Sequence, residues 1–218
     1  MARCDGKVTG WAEVDAAARA EGLFVAGGLH DGGGTVLLLS PDEPGFWPRF
    51  RSGPEAGDGR PDPMDRWSRR VIGVLAAAFG ARAVLPSDGP PYAPFYRWAL
   101  DSGRVHASPV RLLVHAERGL MTSFRGAVVF RGAMDLPPAL PCPCDGCAGR
   151  PCLTACPPGA LTGAGYDVAA CHDFLDSAAG AGCMGRGCAV RRACPVGQGL
   201  RPEAQSAFHM ASFHRRPE

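Results

Sequence analysis

The apolar and polar positions of the first 133 residues follow helical and strand periods in turn. In "GWAEVDAAARAEG" (residues 10–22) apolar residues recur at helical spacing, with Thr9 as a candidate cap and Gly22 as a stop, which predicts a short helix. "LFVAGGL" and "TVLLLS" are short apolar runs on either side of "HDGGG", a pattern that predicts two strands joined by a hairpin. Residues 41–62 are loop by composition. In "DPMDRWSRRVIGVLAAAFG" Asp62 stands at a cap position, Pro63 at the first helical position and Gly80 past the end. Trp67, Val71, Val74, Leu75 and Ala78 fall on one face of that helix and are its expected core side. "ARAVL" reads as a strand, "APFYRWALDSG" as a helix, and residues 110–130 as two strands around Gly119. The expected fold is α+β: an N-terminal mixed sheet with helices over residues 1–133, then a small second domain over 134–218. The Pro-rich stretch "MDLPPALP" reads as the linker that opens the second part.

Composition changes this picture at one place. The chain has 218 residues and ten cysteines; Cys4 stands alone and the others all lie from Cys142 to Cys194. Chemistry tied to sulfur therefore belongs to the C-terminal third. With 46% apolar residues the chain can bury a sizeable core, and its net charge of +2 gives no reason to expect a nucleic acid or an anionic membrane as a partner. No apolar run is long enough to span a membrane, and "MARCDGKVTGWAEV" lacks the apolar stretch of a signal peptide. A cytoplasmic setting with reduced thiols is the expectation.

The cysteines form two sets of four. The first is C-x2-C-x4-C-x3-C-P, made by Cys144, Cys147, Cys152 and Cys156 with Pro157 next. The second is Cys171, Cys183, Cys188 and Cys194 with Pro195 next. A [4Fe-4S] cube takes four thiolates, and closely spaced cysteines supply three of them from one stretch of chain. In two-cluster ferredoxins the cysteine before proline serves the other cluster. The expected partition is therefore crossed, with Cys144, Cys147, Cys152 and Cys194 on one cluster and Cys156, Cys171, Cys183 and Cys188 on the other. Two other readings compete. Disulfides suit crowded cysteines in an oxidising compartment, for which no export signal is present. Zinc sites favour pairs of C-x2-C knuckles, and the chain has one such pair. Zinc leaves two Cys-Pro endings unexplained, so residues 134–218 are expected to form a small dicluster ferredoxin-like domain. Cys142 is a spare thiol that can take the place of Cys144.

The stretch "GLMTSFRGAVVFRGAMDLPPALPCPCDGCAGRPCLTACPPGAL", continued by "YDVAACHDFL" and "GCAVRRACPVG" in the same order, resembles the iron–sulfur portion of epoxyqueuosine reductases. Bacterial 4Fe-4S ferredoxin-like proteins also look similar, with segments resembling "PFYRWAL", "RGAVVF" and "AFHMASF". The resemblance implies two [4Fe-4S] clusters held by the same eight cysteines and, from the reductases, cobalamin in an α+β domain. Where those reductases carry a stretch like "AGLGWIGKN" this chain has "HASPVRLLVHAERGLMTSF", and no helical-repeat segment for a tRNA follows the cysteines, so a tRNA substrate is not expected.

Other candidates are weaker. "DGGG" (residues 31–34) can cradle a phosphate but lacks the spacing of a dinucleotide fingerprint, so a hairpin turn is favoured. Tyr92, Phe95, Tyr96 and Trp98 crowd one segment and can wall a flat cofactor, cobalamin or flavin, against the cysteine region. His106 and His115 are candidate ligands or proton carriers. The basic patches "WSRR" and "FHRRP" are candidate docking points for an acidic donor. Two function classes result. One is an electron-transfer protein passing single electrons between a soluble redox partner and an acceptor. The other is a cobalamin- or flavin-dependent reductase of a small-molecule substrate.

Overall fold

The computed structural model describes residues 10–214; Cys4, Thr9 and the arginines of "FHRRP" lie outside them. In chain order the elements are α1 (Trp11–Ala20), β1 (Leu23–Asp31), β2 (Gly34–Pro41), α2 (Phe46–Arg51), α3 (Pro63–Ala78), β3 (Arg82–Val84), α4 (Phe95–Asp101), β4 (Val105–Ala107), β5 (Leu113–His115), β6 (Gly126–Phe130), α5 (Val168–Asp176), α6 (Ala181–Arg186), α7 (Ala189–Arg192) and α8 (Glu203–His214), with short 3-10 turns at Pro54–Ala56, Pro151–Leu153 and Ala178–Gly180.

A hairpin starts the sheet. Gly32 and Gly33 both take positive φ, 58° and 80°, as the tight two-residue connection between β1 and β2 requires. β2 is buried along its whole length, which is why it reads as an unbroken apolar run rather than an alternating one. Its side chains still divide by face. Leu37 and Leu39 join the core under α1, α2 and α3, while Val36 and Leu38 join the core under α4. The helices therefore cover both faces of the sheet.

The sheet order is β1-β2-β6-β3 and every pairing is antiparallel, so the expected mixed sheet is corrected to an antiparallel one. The reason is the position of β6. β2 and β3, joined through α3, point the same way, as in a parallel crossover, but β6 inserts between them antiparallel to both. The strands expected around Gly119 also do not pair with each other: β5 pairs with β4, and β6 enters the main sheet.

Two further corrections concern residues 41–78. The loop contains α2, whose Phe46 and Phe50 are fully buried and stand edge-on to Trp67 of α3 at 5.3 and 6.2 Å between ring centroids. Phenylalanines four apart among Pro, Gly and Arg make too short a pattern to outweigh that composition. On α3 the core face is Met64, Trp67, Val71, Ile72 and Leu75, whereas Val74 is 67% exposed. Ile72, not Val74, completes the stripe. Asp62 precedes α3 as expected, but it takes a left-handed φ of 50° and its side chain makes no capping bond.

The segment 134–141 is fastened to the sheet domain. The Met134 amide donates to Thr35 Oγ1 at 3.0 Å and the Leu140 amide to the Gly103 carbonyl at 2.9 Å. His106 bonds the Leu140 carbonyl oxygen at 3.0 Å through Nε2, so this histidine anchors the strap. The cysteine-rich region 142–194 follows, and α8 returns to the sheet domain, with Phe208 packed on Trp47 and Phe50 of α2. No helix among the described residues is long and apolar enough to cross a membrane.

Candidate metal centre

The nine described cysteines form no disulfide. Cys144, Cys147, Cys152 and Cys194 line one small cavity of about 20 Å³. Cys156, Cys171, Cys183 and Cys188 line another of about 260 Å³. Cys142 lines neither. Each quartet thus takes three thiols from one stretch of chain and its fourth from the other, and those fourths are Cys194 and Cys156, the two that precede proline. Between the cavities lies one apolar cluster: Val110, Val114, Leu120, Leu161 and Val190 are buried in it with Cys152 and Cys194.

Local structure explains how each thiol reaches its place. The Pro151–Leu153 turn buries Cys152. Cys171 sits in α5, where Asp167 caps the helix by accepting from the Ala170 amide at 2.9 Å. Cys183 lies in α6, and Cys188 is the residue on which α7 begins. The Leu161 amide points at Cys156 Sγ, 3.4 Å away. Cys194 follows α7 and meets Gly119, whose φ of 60° turns the chain beneath it.

The thiols crowd one another. Burial pushes Cys144 up to about 12, with Cys142, Cys152 and Cys194 adding to it. Burial, then Cys147 and Cys194, pushes Cys152 up. Cys171 is raised by burial and by Cys188, Cys156 and Cys183, against a hydrogen bond from Tyr166 that lowers it. Such a site disfavours four bare thiolates and favours them around a positive core. Among the described residues no group of three or more His, Cys, Asp or Glu converges as a single ion requires, within about 2.3 Å of one point for thiolates on zinc. The thiols line two cavities instead.

Arg191 brings a cation to the larger of the two cavities. It lines the larger cavity and is held by the carbonyl oxygens of Leu120 and Thr122, which accept from Nη1. The ionisable groups beside it are Arg201, Cys188 and Tyr166, with no carboxylate. The half-buried guanidinium therefore faces thiols and a phenol rather than a carboxylate. Arg201 differs: its Nε donates to Glu43 Oε1 at 2.9 Å, and Gln205 Nε2 donates to the same oxygen at 2.6 Å. This buried group joins α8 to the loop before α2, and burial pushes the Glu43 carboxyl up in spite of Arg201. Nothing in the spacing of Glu43, Arg201 and Gln205 marked them in the sequence.

The remaining candidates have structural placements. His115 is buried. Its Nδ1 accepts from the amides of Glu117 (3.0 Å) and Arg118 (3.2 Å), so the proton is on Nε2, which donates to the Ala26 carbonyl at 3.0 Å. Ala26 is the bulged residue of β1, left without a cross-strand partner, and His115 satisfies it. Burial depresses the His115 pKa to about 4. The four aromatics do not share one wall. Trp98 is in the core, its Nε1 donating to Asp31 Oδ2 at 2.8 Å; Phe95 packs on Phe124; Tyr92 and Tyr96 are 69% and 51% exposed. None of the four lines either cysteine cavity. The segment at residues 31–34 is the hairpin turn. The arginines of "WSRR" are engaged within the chain, Arg69 with Asp88 at 2.7 Å and Arg70 with Glu55 at 2.6 Å.

No protein-family model, curated protein or solved structure matches this chain, so the eight cysteines and their two cavities carry the functional argument by themselves.

Proposed function

We propose that this is an iron–sulfur protein with two [4Fe-4S] clusters, which passes single electrons between a soluble donor and an acceptor. One observation carries the reading: eight cysteines divide four and four around two cavities, with the Cys-Pro cysteines exchanged between them. Cys144, Cys147, Cys152 and Cys194 would hold one cluster, and Cys156, Cys171, Cys183 and Cys188 the other. Bound there, the clusters supply one-electron chemistry. The chain's own residues do the rest. Val114, Leu120, Leu161 and Val190 keep water from the space between the quartets, and Arg191 offsets negative charge at the second. The Leu161 amide donates to the Cys156 sulfur at 3.4 Å.

The test is metal analysis of protein purified without oxygen. Two cubes require about eight irons and eight sulfides per chain. Zinc in place of iron, or no metal, sinks the proposal.

A second reading, a reductase of a small substrate, has one observation in its favour. The cavity at Cys156, Cys171, Cys183 and Cys188 is far larger than the one at the other quartet. The aromatic segment at Tyr92–Trp98 adds no support for a cobalamin or flavin there, because its rings do not form a common wall.

A further inference from the structure

The two quartets present the same four donors, so the same group suits both. Their cavities nevertheless differ more than tenfold, about 20 Å³ against about 260 Å³. The surplus lies under α8. His209, Met210 and Phe213 of that helix form one wall, and Tyr166 and Phe174 face the same space. Aromatic rings and a thioether make an adaptable apolar slot suited to a flat body. Tyr166 and Phe213 stack at 6.2 Å with an angle of 17° between rings. They are also 42% and 38% exposed, so the stack forms a rim where the cavity meets solvent.

One polar atom in this wall lacks a partner. His209 Nε2 is buried and makes no hydrogen bond. Such an atom carries an unmet desolvation cost, which a ligand atom can relieve. Burial, with Arg201, Arg125 and Arg191 nearby, keeps the imidazole neutral. With its proton on Nε2 it donates to a carbonyl oxygen. The charges around the cavity select against ions. No carboxylate lines it, Arg201 is already matched by Glu43, and Arg191 faces the thiols. An anion would stand against thiolates and a cation against Arg191.

We propose that this cavity binds, beside the cluster, a small, flat, uncharged molecule bearing a ring carbonyl, of the substituted quinone class, with its oxygen on His209. The site rests on the iron–sulfur reading and names the kind of acceptor that reading leaves open.

The test uses the full chain purified without oxygen, with its iron counted on the same sample. The probe is tetramethyl-1,4-benzoquinone, whose methylated ring resists addition of thiols, titrated by calorimetry. One saturable site per chain is expected. Met210→Trp, which fills the slot, abolishes it, and His209→Leu weakens it about tenfold, the effect of one hydrogen bond. No saturable binding at about eight irons overturns the pocket and leaves the clusters standing. Binding that survives Met210→Trp overturns the location. If Met210→Trp loses its iron, His209→Leu decides, and unchanged affinity there overturns the contact. Saturable binding to iron-free protein, lost in Met210→Trp, keeps the pocket and removes the cluster reading instead.

Discussion

Gly119 lies directly beneath Cys194: a methyl group on its Cα would stand 2.9 Å from the Cys194 sulfur and would also strike the Val196 carbonyl. The turn that follows β5 therefore sets the position of a thiol 75 residues later. His115 holds that turn from the other side, through paired backbone bonds with Gly119 of 3.0 and 2.9 Å. Gly119→Ala displaces Cys194 and adds the strain of a side chain at φ 60°, about 1–2 kcal/mol. Expected results are loss of iron from the first quartet and a lower unfolding midpoint. Gly132→Ala, where nothing stands within 4 Å, is the control and leaves both unchanged.

The grouping of thiols makes a prediction about pairs of substitutions. Cys156→Ala and Cys183→Ala face one cavity, so each alone and both together lower iron from about eight to about four per chain. Cys156→Ala with Cys144→Ala removes both clusters. Iron analysis and the visible absorption of the four proteins check this. Additive loss in the Cys156, Cys183 pair would mean that the two do not serve the same centre.

Glu43 and Arg201 give a stability prediction. Arg201→Met leaves a buried carboxylate without its cation, which costs about 3–5 kcal/mol. Adding Glu43→Gln to that variant recovers most of the loss, since no charge is then left behind. Urea unfolding of the two single variants and the double variant measures the coupling. A loss in the double variant equal to the sum of the two single losses would show that the pair is not coupled.

His115 gives a pH dependence with a definite sign. Folded protein keeps this imidazole neutral down to about pH 4, while the unfolded chain takes up a proton near 6.5. Between these values the unfolded chain binds the extra proton, so acid favours unfolding. The contribution of His115 is complete above about pH 6.5 and falls by about 3 kcal/mol as the pH reaches 4. Denaturant unfolding across this range shows it as the part of the acid slope that His115→Asn removes. An unchanged slope in that variant rules out His115 as the source.

The local devices of this fold are legible in the sequence because each acts within a few residues. Gly32 and Gly33 between apolar runs mark the β1–β2 hairpin, and Asp62-Pro63 with Gly80 brackets α3. The cysteines likewise declare two sets of four, each closed by proline, and that spacing carries the proposed partition. Tertiary structure decided what depends on chain brought from far away. β6 takes the place between β2 and β3, making antiparallel a sheet expected to be mixed, and no local pattern encodes which strand fills a gap. Phe46 and Phe50 become core because Trp67 of the next helix stands edge-on to both and Phe208, from the far end of the chain, packs on Phe50. Trp98 is drawn inward by Asp31, so the aromatic segment that reads as a wall for a cofactor is split between core and solvent. The bond between Arg201 and Glu43 spans 158 residues, and the cavity under α8 exists only because that helix returns across the second quartet. Periodicity records which side of an element is apolar; it holds no information about which distant surface will cover it.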